Sequence, residues 1–261
     1  MSSIIQNLKT LATNALRADA LAITEAGYEA VDTEKVVRGK VQVRNGEIHI
    51  EDKIYKIAGR RVYFVGVGKC AFAAAETIEK VLGEKLTSGI ALDVSPIGGL
   101  QLSKIETYIG THPLPSEANM QATKRIMEFL SGCSPDDLVI MLISGGGSTL
   151  LCLPSATMTC LDESILFEEL TAKGATIQDI NVVRKHTSRA RGGALAAAAY
   201  PAEVAALIIS DVPENDIAFI ASGPTVLDST TVADAKAILE KHGITASAHI
   251  EFIETPKEKK Y

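Results

Sequence analysis

Val62-Tyr63-Phe64-Val65-Gly66-Val67-Gly68-Lys69-Cys70-Ala71 decides how the chain is read. Its first four residues are apolar or aromatic with no polar alternation, the mark of a strand covered on both faces. Two glycines and a lysine then lead into an alanine-rich stretch that predicts a helix over about 70–82. Downstream the unit repeats. Strands are predicted at Ile90–Val94, Glu106–Gly110, Leu138–Ile143 and Val204–Ile209. Between and after them, helices are predicted over about 116–131, 162–173, 176–188, 192–199 and 231–242. Strands and helices in this alternation specify an α/β fold, a three-layer, Rossmann-like arrangement with a mostly parallel sheet and helices on both faces.

Upstream of this unit, the spacing of Ile4, Leu8, Leu11, Ala15 and Ile23 predicts one amphipathic helix over about 4–27. Val41, Val43, Ile48 and Ile50 alternate with polar residues around Asn45-Gly46, a strong signal for a β-hairpin. The expected division is therefore a helix-and-hairpin arm over 1–58 packed on the main domain, the Rossmann-like domain over 59–250, and a charged tail over 251–261 whose last residues, Pro256 to Tyr261, are expected to fray.

At 261 residues, 46% hydrophobic and 22% charged, the chain is long enough to bury a core without disulfides or metals. Its net charge of −6 gives no drive toward nucleic acid. No apolar run reaches the roughly 20 residues of a membrane span, and the first residues lack the basic and apolar regions of a signal peptide, so the expected address is cytoplasmic. Cys70, Cys133, Cys152 and Cys160 lack zinc-ligand spacing and read as reduced, mostly buried thiols.

In such sheets ligands bind beyond the carboxyl ends of the strands. Four segments leave those ends with unusual chemistry. In Gly66-Val67-Gly68-Lys69 the glycines let backbone approach an anion and Lys69 adds a point charge, although a tight turn with a solvated lysine fits the same letters. The segment also fits G-x-G-x-x-A, with Asp93 as a dinucleotide-binding acid, but a lysine inside the phosphate turn counts against that reading. Ser144-Gly145-Gly146-Gly147-Ser148 could cradle phosphoryl or carboxylate oxygens with backbone amides and two hydroxyls, or simply connect two elements.

In the third segment, Asn181, Arg184, Lys185 and Ser188 fall on one side of a helix. Arg191-Gly192-Gly193 follows, and the paired glycines favour an anion site over a solvated charged face. In the fourth, Asp211 leaves an apolar strand, where a carboxylate can hold Mg²⁺ through water, orient a hydroxyl or cap a turn. Asp216 and Ser222-Gly223-Pro224-Thr225 lie close behind. His112 and His186 are candidate contacts or acids, while His49, His242 and His249 read as surface residues. Zinc clusters, a nucleophile elbow and a P-loop are all missing from the sequence.

Seven motifs taken in order resemble the glycerate 2-kinase family, whose larger amino-terminal domain precedes a smaller one called MOFRL. They are Val65-Gly66-Val67-Gly68-Lys69, Thr111-His112-Pro113-Leu114-Pro115 and Asp136-Asp137-Leu138-Val139. Ser144-Gly145-Gly146-Gly147-Ser148, Asn181-Val182-Val183-Arg184-Lys185-His186, Ser210-Asp211-Val212-Pro213 and Ser222-Gly223-Pro224-Thr225-Val226 complete the set. The resemblance runs from about Ile4 to Ile244. It implies ATP-dependent phosphorylation of D-glycerate to 2-phosphoglycerate with Mg²⁺, in a cleft between the two domains. It also implies that the lysine matching Lys69 matters for activity and that an essential arginine comes from the second domain.

This sequence departs from the family pattern in reading Arg191-Gly192-Gly193 for Lys-Gly-Gly, and in moving an acid by one residue to Asp216. Nothing before Tyr261 reads as a MOFRL domain, so the chain by itself is expected to bind ligands with little turnover. A separate carboxy-terminal domain or a second copy is the expected partner. On the resemblance, Lys69, Arg184 and Asp211 are the expected catalytic residues, with Asp211 or Asp216 at any metal. Substrate and phosphate contacts are expected from Gly68, Ser144, Gly145, Gly146, Gly147, Ser148, Asn181, Lys185, His186, Arg191, Ser222, Gly223 and Thr225. Two rival readings remain: an NAD(P)-dependent reductase of a small hydroxy acid using Gly66, Gly68, Ala71 and Asp93, and a non-catalytic module for small anions.

Overall fold

A computed structural model describes residues 4–94, 102–244 and 250–258. The amino-terminal arm begins with three helices, α1 (Leu8–Leu11), α2 (Ala15–Ala30) and α3 (Thr33–Lys40), in place of the single predicted helix. The break falls where Asn14 turns its side chain back to accept the Arg17 N–H and so starts α2. α2 buries none of its residues, and Leu16 and Ile23 on it are exposed. The predicted hairpin is part of a three-stranded antiparallel sheet, β1 (Val41–Arg44), β2 (Glu47–Ile50) and β3 (Lys53–Lys56). Asn45 and Gly46 form its first turn at φ 50° and 78°, the double left-handed geometry that an Asn-Gly pair supplies at low strain.

The repeating unit follows as β4 (Val62–Val67), α4 (Ala71–Leu82), β5 (Ser88–Asp93), β6 (Ile105–Ile109), α5 (Glu117–Ser131) and β7 (Leu138–Ile143). The remainder is α6 (Gly147–Leu150), α7 (Cys160–Ala172), α8 (Ile177–His186), α9 (Ala194–Ala199), β8 (Glu203–Ile208) and α10 (Val232–Lys241). The short α6 had no counterpart in the sequence reading, because four residues do not establish a periodicity.

β4 to β8 form a fully parallel sheet in the order β6-β5-β4-β7-β8. Side chains alternate along each strand. Phe64, Ile140 and Leu142 point into one core with α4, while Val65, Val67, Met141 and Ile143 point into another with Ile126 of α5 and Leu195 of α9. Helices therefore cover both faces, and Val37, Ile48 and Tyr55 of the arm join the first core. A third core gathers Phe167, Val183 and Leu239 from α7, α8 and α10, with Phe252 packed against it.

The carboxy-terminal segment packs on this core, and of the residues expected to fray Lys257 Nζ donates to Asp228 O at 3.1 Å. The Ile253 N–H donates to His186 O at 2.7 Å and Thr255 is buried. Four free cysteines are present, with Cys152 and Cys160 buried and Cys70 and Cys133 half-buried. Among the described residues no helix is long and apolar enough to cross a membrane. The strand order turns back between β4 and β7, since β5 and β6 run off to one side and β8 to the other. In open parallel sheets such a switch point is where a ligand crevice is expected.

Candidate active site

Two loops leave β4 and β7 at that point, and hydrogen bonds join them. The Ser144 N–H donates to Val67 O and the Lys69 N–H to Gly145 O, both at 2.9 Å. Gly68 makes the junction possible. It sits at φ +125°, and a β-carbon there would press into the Ser144 side chain and lie 2.7 Å from Ser144 O.

The glycines of the second loop each admit a different neighbour. A β-carbon on Gly145 would run into the Asp211 carboxylate, with Asp211 Cγ 2.7 Å away. One on Gly146, which holds φ +84°, would lie 3.0 Å from Lys69 Cε and 3.5 Å from His112 Cδ2. One on Gly147 would meet Ala221 Cβ at 2.5 Å. The loop is therefore a platform with Lys69 and His112 on one flank and Asp211 on the other.

Lys69 is exposed, and neither it nor Asp211 makes an ion pair among the described residues. The N–H groups of Gly145, Gly146 and Ser148 likewise meet no backbone acceptor among those residues. Burial, and then the charges of Lys69 and Arg184, hold the His112 imidazole below its ordinary pKa, which favours the neutral ring. Asp216 uses Oδ1 to accept the Ala218 N–H at 2.9 Å, so its oxygens are less free than those of Asp211.

The basic helix face predicted around Asn181 is largely turned inward. Lys185 Nζ lies 3.1 Å from Asp228 Oδ1, with both side chains buried. His186 is fully buried, Nδ1 lying 3.0 Å from Ile253 O and Nε2 3.1 Å from Thr230 Oγ1. Arg191 is also fully buried, pairing with Glu163 at 2.6 and 3.0 Å and donating to Ser148 O. Lys185, His186 and Arg191 therefore make no open anion surface, because each faces a carboxylate or carbonyl from a distant part of the chain.

Gly192 and Gly193 donate their N–H groups to Ser222 O and Gly223 O, so this pair closes a packing contact. Ser222 is buried and donates to Asn181 Oδ1 at 2.8 Å, while Ser148 Oγ lies 2.9 Å from Ser222 Oγ. These groups brace the glycine loop from beneath. Gly223 is held against Ala218, where a β-carbon would lie 3.0 Å from Ala218 O. The Thr225 hydroxyl is buried without a partner among the described residues. Ser144 is buried as well, its hydroxyl 3.4 Å from Val67 O. Asp93 accepts the Phe72 N–H at 3.0 Å and the Val94 N–H at 2.6 Å, and so caps α4.

Arg184 has no side-chain hydrogen bond or ion pair among the described residues, and unlike Arg189, which shares that state but is exposed, it has its Nε withdrawn from solvent. Its guanidinium stacks 4.3 Å from the Phe167 ring centroid. Three partners escaped the sequence reading: Glu163, Asp228 and Phe167. Nothing local signals them, since Glu163 and Asp228 lie 28 and 43 residues from the cations they pair with. Of the histidines read as surface groups, His242 is bound to Asp179 Oδ2 at 3.0 Å, His49 is half-buried and His249 lies outside the described residues.

Comparison with known proteins places the chain in a family. The family described as "Domain of unknown function (DUF4147)" matches residues 19–254. The chain belongs to that family.

Among relatives of this DUF4147 chain, a D-glycerate 2-kinase from Thermotoga maritima is 34% identical over 226 residues, 85% of this chain and 54% of that protein. A glycerate kinase from Homo sapiens is 35% identical over 77% of this chain and 41% of its own length. A protein named putative hydroxypyruvate reductase from Agrobacterium vitis is 43% identical over 76% and 46%. The crystal structure of a Pyrococcus horikoshii OT3 protein is similar at a TM-score of 0.82 and 33% identity, over 95% of this chain and 59% of that one. That of a Thermotoga maritima glycerate kinase is similar at 0.80 and 33%, over 92% and 55%. The DUF4147 chain spans about half the length of the curated relatives it matches. By these similarities it is a Rossmann-like domain of the kind that forms the amino-terminal domain in the glycerate kinase family.

Proposed function

We propose that this chain carries the nucleotide- and acid-binding half of an ATP-dependent D-glycerate 2-kinase. The observation that carries the proposal is the Lys69 stem lying across Gly146 with the Asp211 carboxylate against Gly145 on the opposite flank. Phosphoryl transfer asks a protein mainly for positioning and for charges that meet the phosphoryl oxygens, and this platform offers both. Lys69 would neutralise a transferring phosphoryl group, and the N–H groups of Gly145, Gly146 and Ser148 would orient its oxygens.

The residues present fit Mg²⁺ carried by a nucleotide. Asp211 is a single carboxylate without an internal partner, and no group of three or more potential metal ligands occurs among the described residues. Mg²⁺ bound through one carboxylate, water and substrate phosphates needs no protein cage. When bound, it would draw charge from the phosphate oxygens.

The named activities of the kinase relatives support the same reading. The name of the Agrobacterium relative suggests a reductase instead, but Asp93, the acid such a reading needs, is buried as the α4 cap. Calorimetric titration of the chain with Mg·ATP, NADPH and D-glycerate tests the proposal. Mg·ATP and D-glycerate are expected to bind, and Lys69→Ala to weaken Mg·ATP binding at least about tenfold with an unchanged melting temperature. Binding of NADPH without binding of Mg·ATP would overturn it.

A further inference from the structure

Arg184 is a cation in search of an anion. Its Nε is fully withdrawn from solvent with no hydrogen-bond partner, and no carboxylate pairs with it among the described residues. Glu163 is the acid whose charge it feels, but both oxygens of Glu163 are held by Arg191 at 2.6 and 3.0 Å. Burial, and then repulsion from Arg191, pull the Arg184 pKa down to about 10, so the group stays charged at neutral pH. Arg184 as a whole is half-buried, and a charge partly withdrawn from water without a counter-charge is destabilising, a cost that a ligand anion completing the pair would relieve.

The surroundings define that ligand. Arg184 lines a cavity of about 370 Å³ between α7 and the segment following β6. Pro113, Leu114 and Phe167 give it apolar walls, and Thr149 of α6 ties it to the glycine loop by donating to Pro113 O at 3.2 Å. The remaining acid on its lining, Glu168, is exposed to solvent. A planar cation with only donor N–H groups at the end of an apolar slot is suited to a carboxylate, which it can meet with two parallel hydrogen bonds. The volume lies at the small end for ligand sites and suits an acid of a few carbons. His112 feels the charges of both Lys69 and Arg184, so the slot and the phosphoryl platform adjoin.

We infer that Arg184 and this cavity hold the carboxylate of a small hydroxy acid, leaving its hydroxyl end on the side of Lys69 and His112. The assignment rests on the D-glycerate reading and adds the residue that distinguishes the acid from a neutral polyol. A free phosphate presents similar chemistry, so it enters the test as a separate arm.

The full 261-residue chain is titrated with D-glycerate, glycerol, inorganic phosphate and Mg·ATP, as wild type, Arg184→Met and Arg184→Lys. Wild type binds D-glycerate at millimolar concentration or better and does not bind glycerol. Arg184→Met weakens D-glycerate at least about tenfold. Its melting temperature without ligand stays level or rises, because methionine covers Phe167 without a buried charge. Arg184→Lys recovers part of the affinity, and Mg·ATP binds all three proteins alike. Undiminished D-glycerate binding by Arg184→Met overturns the assignment, as does absence of D-glycerate binding by wild type. Tighter, Arg184-dependent binding of inorganic phosphate also overturns it, by giving the slot to a phosphoryl group. If wild type binds D-glycerate through Arg184 but does not bind Mg·ATP, the kinase reading fails and the carboxylate slot stands.

Discussion

Gly68 and Gly83 both have positive φ, yet only one of them has a neighbour where a β-carbon would go. At Gly83 the space is open, so Gly83→Ala should cost about 1 kcal/mol from backbone strain alone. At Gly68 the added atom would collide with Ser144 and part the bond between Lys69 N and Gly145 O, so Gly68→Ala should cost about 2–4 kcal/mol. Urea unfolding of the two variants measures the difference, and equal losses would mean that the two loops are not tightly joined. The glycine motifs were legible in sequence because the requirement they meet is a backbone one, signalled by the residue itself. Lys185 and Arg191 were not, because the fate of a charge depends on a partner supplied by the fold. The letters that read as an anion site include two cations held by Asp228 and Glu163 and one, Arg184, left without a counter-charge.

Element by element, long apolar strands were readable and marginal amphipathic stretches were not. β7 is buried along its whole length, so its sequence had no alternative to an interior strand. The stripe from Ile4 to Ile23 repeats at helical spacing, but α2 has no core to cover, and the local cap at Asn14 decides where it starts. The carboxy-terminal segment shows the reverse case, with charged letters that pack. Asp228 accepts from Lys185 at 3.1 Å, from Thr230 at 2.8 Å and from Thr255 at 3.1 Å, and so joins α8 to residues 253–257. Burial works against its ionisation, but Lys185 and the Thr230 hydrogen bonds outweigh it and hold the pKa below the ordinary carboxylate range. A depressed folded-state pKa gives stability that is complete above the unfolded value, about 3.9, and is lost as pH falls through the folded one. Asp228→Ala should therefore cost about 3–5 kcal/mol at neutral pH, where it strands a buried ammonium. The gap from wild type should narrow as pH falls below the unfolded carboxylate value, about 3.9. A gap independent of pH in denaturant titrations would show that the carboxylate's charge is not what matters.

Across the whole molecule, the strand order β6-β5-β4-β7-β8 puts its switch point between β4 and β7, and the loops that carry Lys69 and the glycine platform leave those two strands. Lys69 stands exposed there, so its field is weakened by water. Enzymes that transfer phosphoryl groups strengthen such fields by excluding water and by aiming further cations at the transferring group. The chain spans about half the length of its kinase relatives, and the family resemblance implies an essential arginine from a second domain. Loss of one arginine aimed at the phosphoryl group can lower the rate by roughly 10³-fold or more. Assayed as 261 residues, the chain should therefore bind Mg·ATP and D-glycerate yet form ADP slowly. A chimera joining it to the second half of the Thermotoga maritima relative should restore turnover by about that factor. Coupled measurement of ADP release from both proteins decides the matter. Equal, robust, Mg²⁺-dependent rates would show that Lys69, Asp211 and the glycine loop, alone or in a pair of chains, complete the site without the second half.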